Sequence, residues 1–225
     1  MGAERLANEF GYLLNIVHIS EEELQNYLSE VKEKRTVSGI VLFASELPDD
    51  LCSALEKSGI PLVVVDNAMK FYSVNSVCPD NESGTYQAVS YLAGLGHKKI
   101  GLLAPFSPMG GLPKREKSFY ETMELLNLPV DPGHVAKIDH VFDVGIAQMD
   151  QYLATAPDLP TAFYAVNDVI AAAAMQSLKK HGYRIPDDIS IVGFDDANVG
   201  NFSVPRITTM KVNRSMAGRI GSRSA

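Results

Sequence analysis

Short apolar runs rich in Val, Leu and Ile alternate with stretches of helical periodicity along almost the whole chain. Near-continuous apolar runs predict strands that are buried on both faces, and such strands pair in parallel. The predicted strands are Tyr12–His18, Ser38–Phe43, Leu62–Val65, Ile100–Ala104, His134–Ile138, Ala162–Val166 and Ile189–Phe194. Repeated strand–helix–strand order predicts an α/β fold with parallel sheets. Because no low-complexity linker divides the chain, we expect two lobes that are joined by crossing strands.

Helical patterns fill the intervals between these strands, and two of them carry clear end signals. Ser20 with Glu23 three residues later is a capping box, which predicts a helix that continues to about Lys34. Gly96 is a typical stop for a helix predicted over Glu82–Leu95. Further helices are predicted over Asp49–Ser58, Lys114–Asn127, Gly145–Ala154 and the stretch that follows Asp168 and ends at Lys180.

Composition and charge exclude several classes of protein. The formal net charge of −7 and the pI near 5.2 argue against nucleic-acid binding by this chain itself, because phosphate neutralisation needs clustered Lys and Arg. No apolar run approaches the ~20 residues of a membrane span, and the N-terminus carries no secretion signal. Cys52 and Cys78 are expected to be free thiols in a reducing compartment. We therefore expect a cytoplasmic protein without a membrane partner.

Motifs for catalysis, metal binding and phosphate binding are not found in the sequence. The five histidines are scattered and lack metal-ligand spacing with cysteines or carboxylates. We predict that the protein is not an enzyme and that it binds no cofactor and no metal.

Polar side chains instead follow the predicted strands at their carboxyl ends. They are Asp66, Asp80, Asn167, Asp168 and Asp195, together with Arg115 at a helix start. Each one alone is open to a capping or turn role, which Asp and Asn favour. As a set they lie at the edge of the sheets where ligands bind in open α/β folds. Carboxylates, an amide and an arginine suit hydrogen bonding to a polyhydroxyl ligand, and Phe142 or Phe106 is available to stack on its apolar face.

A series of ordered motifs resembles the effector-binding domain of lactose-repressor-type (LacI/GalR) transcription regulators. The motifs are SGIVL at 38–42, GIPLVVVD at 59–66, LGHKKIGLL at 95–103, REKSF at 115–119, AVND at 165–168, IPDDISIVGFDD at 185–196 and PRITT at 205–209. Each motif is weak, but the ordered set is specific and runs from about Gly11 to Gly218. The resemblance implies two doubly wound lobes joined by three crossovers, as in periplasmic sugar-binding proteins, with the effector between the lobes.

The resemblance also implies roles for individual residues. The positions that usually hydrogen-bond the effector match Asp66, Arg115, Asn167 and Asp195. Asp80 begins a D-x-x-x-G stretch that ends at Gly84, and Phe142 lies where many members place a stacking aromatic. Asp168 and Asp196 are expected to cap and brace the strand ends.

The same resemblance implies domain boundaries. It gives an N-terminal lobe over residues 1–79, which residues 210–225 rejoin, and a C-terminal lobe over residues 80–209. Strands near residues 77 and 210 would be crossovers. It also implies that the family's first strand and its helix-turn-helix are missing from the chain. Strand 1 is interior in the order 2-1-3-4-5, so we expect Tyr12–His18 and Ser38–Phe43 to expose unpaired edges and the chain to be part of a longer repressor.

We therefore expect an effector-sensing and dimerisation domain of a bacterial transcription regulator. The expected effector is a sugar, the expected protein partner is a second copy of the chain, and operator DNA would bind only through the absent helix-turn-helix. The alternative is a sugar-binding protein of a transport system, which has nearly the same fold. An enzyme acting on a sugar or nucleotide is a third possibility. The PRITT and GFDD motifs favour the regulator.

Overall fold

The computed structural model of the protein describes residues 2–107, 109–155 and 158–213. This part of the chain divides into two compact units. Unit 1 comprises residues 2–79 together with Asn213, and unit 2 comprises Asp80–Val212. Each unit has a parallel sheet and its own apolar core.

Unit 1 contains a three-stranded parallel sheet with helices around it. The strands are β1 (Ile40–Phe43), β2 (Leu62–Val65) and β3 (Asn75–Val77), in the order β1-β2-β3. The helices are α1 (Gly2–Glu9), α2 (Glu21–Lys34) and α3 (Asp49–Lys57). Strand β2 is buried along its whole length because it lies between the other two strands. Leu24 and Leu28 of α2 and Leu51 and Leu55 of α3 belong to the same core cluster as Val64.

The capping box predicted at the start of α2 is confirmed. The Ser20 backbone N–H and hydroxyl both donate to the Glu23 carboxylate, at 3.2 and 2.9 Å, and these bonds lower the pKa of Glu23. The reciprocal cap satisfies backbone donors that the first helical turn leaves unpaired. Helix α2 therefore begins and ends at the predicted positions.

The predicted strand Tyr12–His18 is wrong. Residues 12–20 have no regular secondary structure, and the side chains of Leu13 and Ile16 are 100% and 75% exposed. A strand forms only where a neighbour accepts and donates its backbone hydrogen bonds. Among the described residues, no strand lies beyond β1 in the sheet order. The apolar run alone therefore did not produce a strand, whereas the free edge expected at Ser38–Phe43 is present at β1.

Unit 2 contains a five-stranded parallel sheet. Its strands are β4 (Ile100–Ala104), β5 (Val135–Lys137), β6 (Ala162–Ala165), β7 (Ser190–Asp195) and β8 (Thr208–Lys211). The spatial order is β5-β4-β6-β7-β8. Numbered within the unit, this is the predicted doubly wound order 2-1-3-4-5. The α/β fold class and the parallel sheets are thus confirmed.

Among the described residues, five α-helices accompany this sheet. They are α4 (Asn81–Gly94), α5 (Leu112–Leu125), α6 (Phe142–Thr155), α7 (Asp168–Lys180) and α8 (Asn198–Phe202). Helix α4 packs on α5, and α6 packs on α7. Tyr164 of β6 is fully buried, stacks on Phe119 of α5 at 6.0 Å between ring centroids, and shares a hydrogen bond of 2.8 Å with Thr85 of α4. These contacts fix α4 and α5 against the central strand.

The strand order places a crevice at one edge of the unit 2 sheet. From β4 the chain continues to β5 on one side of β4. It then crosses over to β6, which lies on the other side of β4. Such a reversal of strand order opens a crevice outside the carboxyl ends of β4 and β6, and ligands of open α/β sheets bind in such crevices. Within the described ranges, no helix is both long and apolar enough to cross a bilayer.

Candidate functional site at the carboxyl edge of the unit 2 sheet

Arg115 is buried at the crevice between β4 and β6. It lies in the first turns of α5, the helix that follows β4, and the whole residue is 5% exposed. Its Nη1 donates to the carbonyl oxygen of Val166 at 2.8 Å, directly after β6. Its Nη2 donates to Asp195 Oδ1 at 2.9 Å, at the end of β7. The structure thus brings together two residues that sequence patterns singled out separately.

Two residues that the sequence did not single out complete the surroundings of Arg115. The Nε of Arg115 donates to Asn81 Oδ1 at 2.8 Å. Its guanidinium carbon lies 3.8 Å above the centroid of the Phe194 ring. Asn81 stands beside Asp80 in the D-x-x-x-G stretch, and Phe194 stands within GFDD. Both residues therefore stand in motifs that the sequence revealed. Their contact with Arg115, which is 34 positions from Asn81 and 79 positions from Phe194, could not be predicted from the sequence.

The turn that carries Asp195 has an unusual backbone. Asp195 and Asp196 have φ of +108° and +53°, and Asp66 at the end of β2 has φ of +75°. Residues with side chains seldom adopt positive φ, and each such conformation costs about 1–3 kcal/mol. Strain of this kind concentrates at functional sites because surrounding contacts maintain it. Positive φ also occurs at Arg35 and Asn127, which follow helices, but within the two sheets it marks the carboxyl ends of β2 and β7.

Asp168 holds the strained turn in place. Its Oδ2 accepts from the Ala197 backbone N–H at 2.6 Å, and its Oδ1 accepts from the Thr209 hydroxyl at 2.6 Å. Burial raises the pKa of the Asp168 carboxyl, whereas these two hydrogen bonds lower it. Asp196 is held separately, since its carboxylate lies 3.2 Å from Lys211 Nζ. The bracing roles predicted for Asp168 and Asp196 match these contacts.

Asn167 and Asp80 both act as helix N-caps. Asn167 Oδ1 accepts from the Ile170 N–H at 2.9 Å at the start of α7. Asp80 Oδ1 accepts from the Ser83 N–H at 2.9 Å at the start of α4. The cap uses the carbonyl oxygen of Asn167, and the ligand role predicted for Asn167 stays a prediction. Asp80 is exposed, and the ligand role predicted for it stays a prediction.

The two aromatic candidates differ in their exposure. Phe142 is the first residue of α6 and is half-buried. Phe106 lies on the loop after β4 and is 66% exposed. The helix α6 starts at Phe142, three residues earlier than the predicted Gly145, so the ring is fixed to a helix end instead of a loop.

Asp66 belongs to unit 1 and is described within it. It follows β2, and its Oδ2 accepts from the Ser45 hydroxyl at 2.8 Å. Its own backbone N–H donates to the Val77 carbonyl at 2.8 Å. Ser45 follows β1, so the ends of two neighbouring strands supply a hydroxyl and a carboxylate side by side. The sequence did not single out Ser45.

A charged pair occupies the outer end of the unit 2 edge. Lys137 Nζ, at the end of β5, lies 2.7 Å from Glu116 Oε1 on α5. Glu116 is the neighbour of Arg115 in the sequence, and both partners of the pair are partly buried. The edge therefore runs from an ion pair at β5, past the guanidinium of Arg115, to the carboxylate of Asp195. It offers both hydrogen-bond donors and acceptors.

Comparison with protein families decides the classification. Residues 89–222 match the model of the periplasmic binding protein-like domain. The chain belongs to this family. This periplasmic binding protein-like domain is 30% identical over 221 residues to the HTH-type transcriptional repressor CytR of Escherichia coli strain K12. The alignment covers 97% of the chain and 64% of that repressor, so the chain spans less than two thirds of its length.

Solved structures show the same similarity. A regulatory protein of the LacI family from Chloroflexus aggregans has 28% identity and a TM-score of 0.89, covering 99% of the chain and 80% of that protein. A complex of the transcriptional regulator CelR with cellobiose has 28% identity and a TM-score of 0.84, covering 99% of the chain and 68% of that protein. The resemblance to lactose-repressor-type regulators is therefore confirmed. The ligand roles of individual residues remain predictions.

Proposed function

We propose that this chain is the effector-sensing part of a bacterial transcription regulator. A small polyhydroxyl effector, a sugar, binds at the carboxyl edge of the unit 2 sheet. The observation that carries the proposal is the pair of Arg115 and Asp195 at the strand ends of a doubly wound sheet, in which Arg115 is buried and Asp195 is partly buried. The similarity to repressors favours this role over that of a transport protein.

The chemistry of the edge suits a sugar. Three N–H groups of the Arg115 guanidinium donate to described protein atoms, and arginine carries five. The remaining two are donors for ligand hydroxyls, and the Asp195 carboxylate is an acceptor. A sugar also presents an apolar ring face, against which an aromatic side chain packs. The solved CelR complex with cellobiose supports this ligand class.

The other predicted ligand residues have secondary roles in the proposal. Asn167 contributes its amide nitrogen, and Phe142 contributes a ring at the start of α6. The ligand role of Asp66, which lies in unit 1, stays a prediction. Asp80 is the weakest member of the set, because capping of α4 already accounts for its position.

The proposed output is a change in DNA binding by a longer protein. The effector binds one conformational state more tightly than the other and so shifts the protein toward that state. This shift changes the affinity of an attached DNA-binding segment for its operator. The protein would act in the cytoplasm as a homodimer, bind operator DNA through that segment, and catalyse no reaction. Sedimentation of the chain at several concentrations tests the dimer, which the proposal predicts and a strictly monomeric species contradicts.

A thermal-shift screen tests the effector class. Monosaccharides, disaccharides and purines are added singly to the chain, and the melting temperature is followed by circular dichroism. A ligand at about 100 times its Kd stabilises the folded state by about 2.7 kcal/mol. We expect at least one sugar to raise the melting temperature. A shift by purines alone would make the assignment to sugars wrong, and a panel without any shift would contradict the proposed function.

A further inference from the structure

We propose that Gly84, Asn81 and Phe194 are positioning residues that hold the guanidinium of Arg115 in its ligand-binding orientation. The group is called the arginine seat below. This inference rests on the proposed function, because the ligand role of Arg115 is part of it. No member of the seat needs to touch the effector, since each one acts through Arg115.

The seat begins with the close approach of Phe194 to helix α4. A Cβ atom built at Gly84 would lie 2.6 Å from Phe194 Cζ and 2.7 Å from Cε2. Real Cβ atoms do not approach ring carbons so closely. Only glycine at position 84 therefore lets the Phe194 ring lie directly on the helix. This gives the final glycine of the D-x-x-x-G stretch a physical role in packing.

The Phe194 ring then supports the guanidinium. The Arg115 guanidinium carbon lies 3.8 Å above the ring centroid, which is cation–π geometry. Both groups are almost completely buried, so water competes little for the charge. The ring therefore sets the plane of the guanidinium, and Gly84 sets the distance between the ring and helix α4.

Asn81 sets the rotation of the guanidinium within that plane. Its Oδ1 accepts from Arg115 Nε at 2.8 Å, and the residue is 5% exposed. The amide of Asn81 is itself confined, because a Cβ at Gly111 would lie 2.6 Å from its Nδ2. With Nε fixed by Asn81 and the two terminal nitrogens fixed by Val166 and Asp195, the directions of the remaining N–H groups are fixed before a ligand arrives. Preorganisation of this kind lowers the entropic cost of binding.

The chain offers a matched pair of substitutions to test the seat. Gly84→Ala and Gly94→Ala introduce the same methyl group into the same helix. The methyl at position 84 meets the Phe194 ring, whereas the methyl at position 94 meets nothing within 4 Å. A second pair of substitutions acts on the hydrogen bond from Arg115 to Asn81. Asn81→Ala removes the acceptor for Nε, and Asn81→Asp keeps an acceptor oxygen.

The measured quantity is the hydrogen-exchange rate of the Arg115 Nε–H group in the ligand-free chain, by NMR with ¹⁵N-labelled arginine. The resonance is identified by its absence from Arg115→Lys. We expect Asn81→Ala to accelerate this exchange by about tenfold or more, since a buried hydrogen bond to a charged group is lost. We expect Gly84→Ala to accelerate it as well, since the added methyl group displaces the Phe194 ring that supports the guanidinium. Gly94→Ala and Asn81→Asp should exchange as slowly as the unsubstituted chain. The thermal melt of each variant separates this local effect from a general loss of stability.

Two results would overturn the proposal. One is unchanged exchange of Nε–H in Asn81→Ala. The other is equal acceleration in Gly84→Ala and Gly94→Ala, because both would then act through the helix and not through Phe194. If Gly84→Ala does not fold, the two Asn81 variants decide the question on their own. The experiment uses no ligand, so its outcome is independent of whether the sugar screen succeeds.

Discussion

The hydroxyl of Thr209 donates a hydrogen bond of 2.6 Å to Oδ1 of the fully buried Asp168. The same hydroxyl oxygen accepts from the Asp196 backbone N–H at 3.3 Å. Strand β8 and the start of α7 are thus tied together beneath the turn that carries Asp195. The second threonine of PRITT has a structural role that its sequence position alone did not reveal.

We expect Thr209→Val to lower the free energy of unfolding by about 1–3 kcal/mol, because it leaves a buried carboxylate with one partner fewer. Thr209→Ser keeps the hydroxyl and is the matched control, with a change of about half that or less. Urea unfolding followed by circular dichroism measures both. Equal stability of the Val and Ser variants would show that the hydroxyl does not hold the turn.

Gly193→Ala tests the space around Asp168. A Cβ at Gly193 would collide with Asp168 Oδ1 and lie 3.2 Å from Ile207 Cγ2. We expect a loss of about 1–3 kcal/mol in the free energy of unfolding, as for other overpacked sites. Gly94→Ala, which meets no atom within 4 Å, should cost nothing in the same urea experiment. A Gly193→Ala variant as stable as Gly94→Ala would contradict the packing described for this turn.

His97 gives the protein a pH dependence at the opposite edge of the sheet. Its Nδ1 lies 2.8 Å from Thr161 Oγ1, and its Nε2 lies 3.1 Å from Ser190 Oγ. Burial lowers the pKa of His97 below its usual 6.5, so the folded protein favours the neutral ring. This contribution to stability is present above pH 6.5 and is lost as the pH falls through the lowered pKa.

We therefore expect the stability difference between the unsubstituted chain and His97→Gln to shrink on acidification. Urea unfolding at about pH 7.5 and at about pH 5.5 measures this difference in stability. Histidine is the side chain that ordinarily titrates between these two pH values. A difference that stays constant or grows toward low pH would mean that His97 is not held in its neutral form.

Local signals predicted most of the secondary structure of unit 2. The bounds of β4 agree with the apolar run, and α7 ends at Lys180 as predicted. The order 2-1-3-4-5 followed from the repeated strand–helix pattern together with the family resemblance. The prediction of a strand at Tyr12–His18 failed because a strand depends on a neighbour, and an apolar run does not show whether that neighbour exists. Helix α8 is only five residues long, which is too short for periodicity to reveal.

The candidate site was predictable as a set of residues but not as a network. Arg115 and Asp195 were identified from strand ends and motifs. The contact of Arg115 with Asp195 joins positions 80 residues apart, and the contact of Arg115 with Asn81 joins positions 34 residues apart. Both contacts depend on the packing of α4, α5 and β7. Asn167 also illustrates the limit of spacing arguments, because its carbonyl oxygen caps α7 while its ligand role stays a prediction.

Calorimetric titration of the sugar found in the screen is the most direct test of the central claim that Arg115 senses the effector. Arg115→Ala is compared with Arg184→Ala, which removes an exposed arginine that is paired with Asp188 before β7. We predict that Arg115→Ala weakens binding by ~1.5–3 kcal/mol, about ten- to a hundredfold in Kd, and that Arg184→Ala binds like the unsubstituted chain. Equal affinity of Arg115→Ala and the unsubstituted chain would contradict the proposed site.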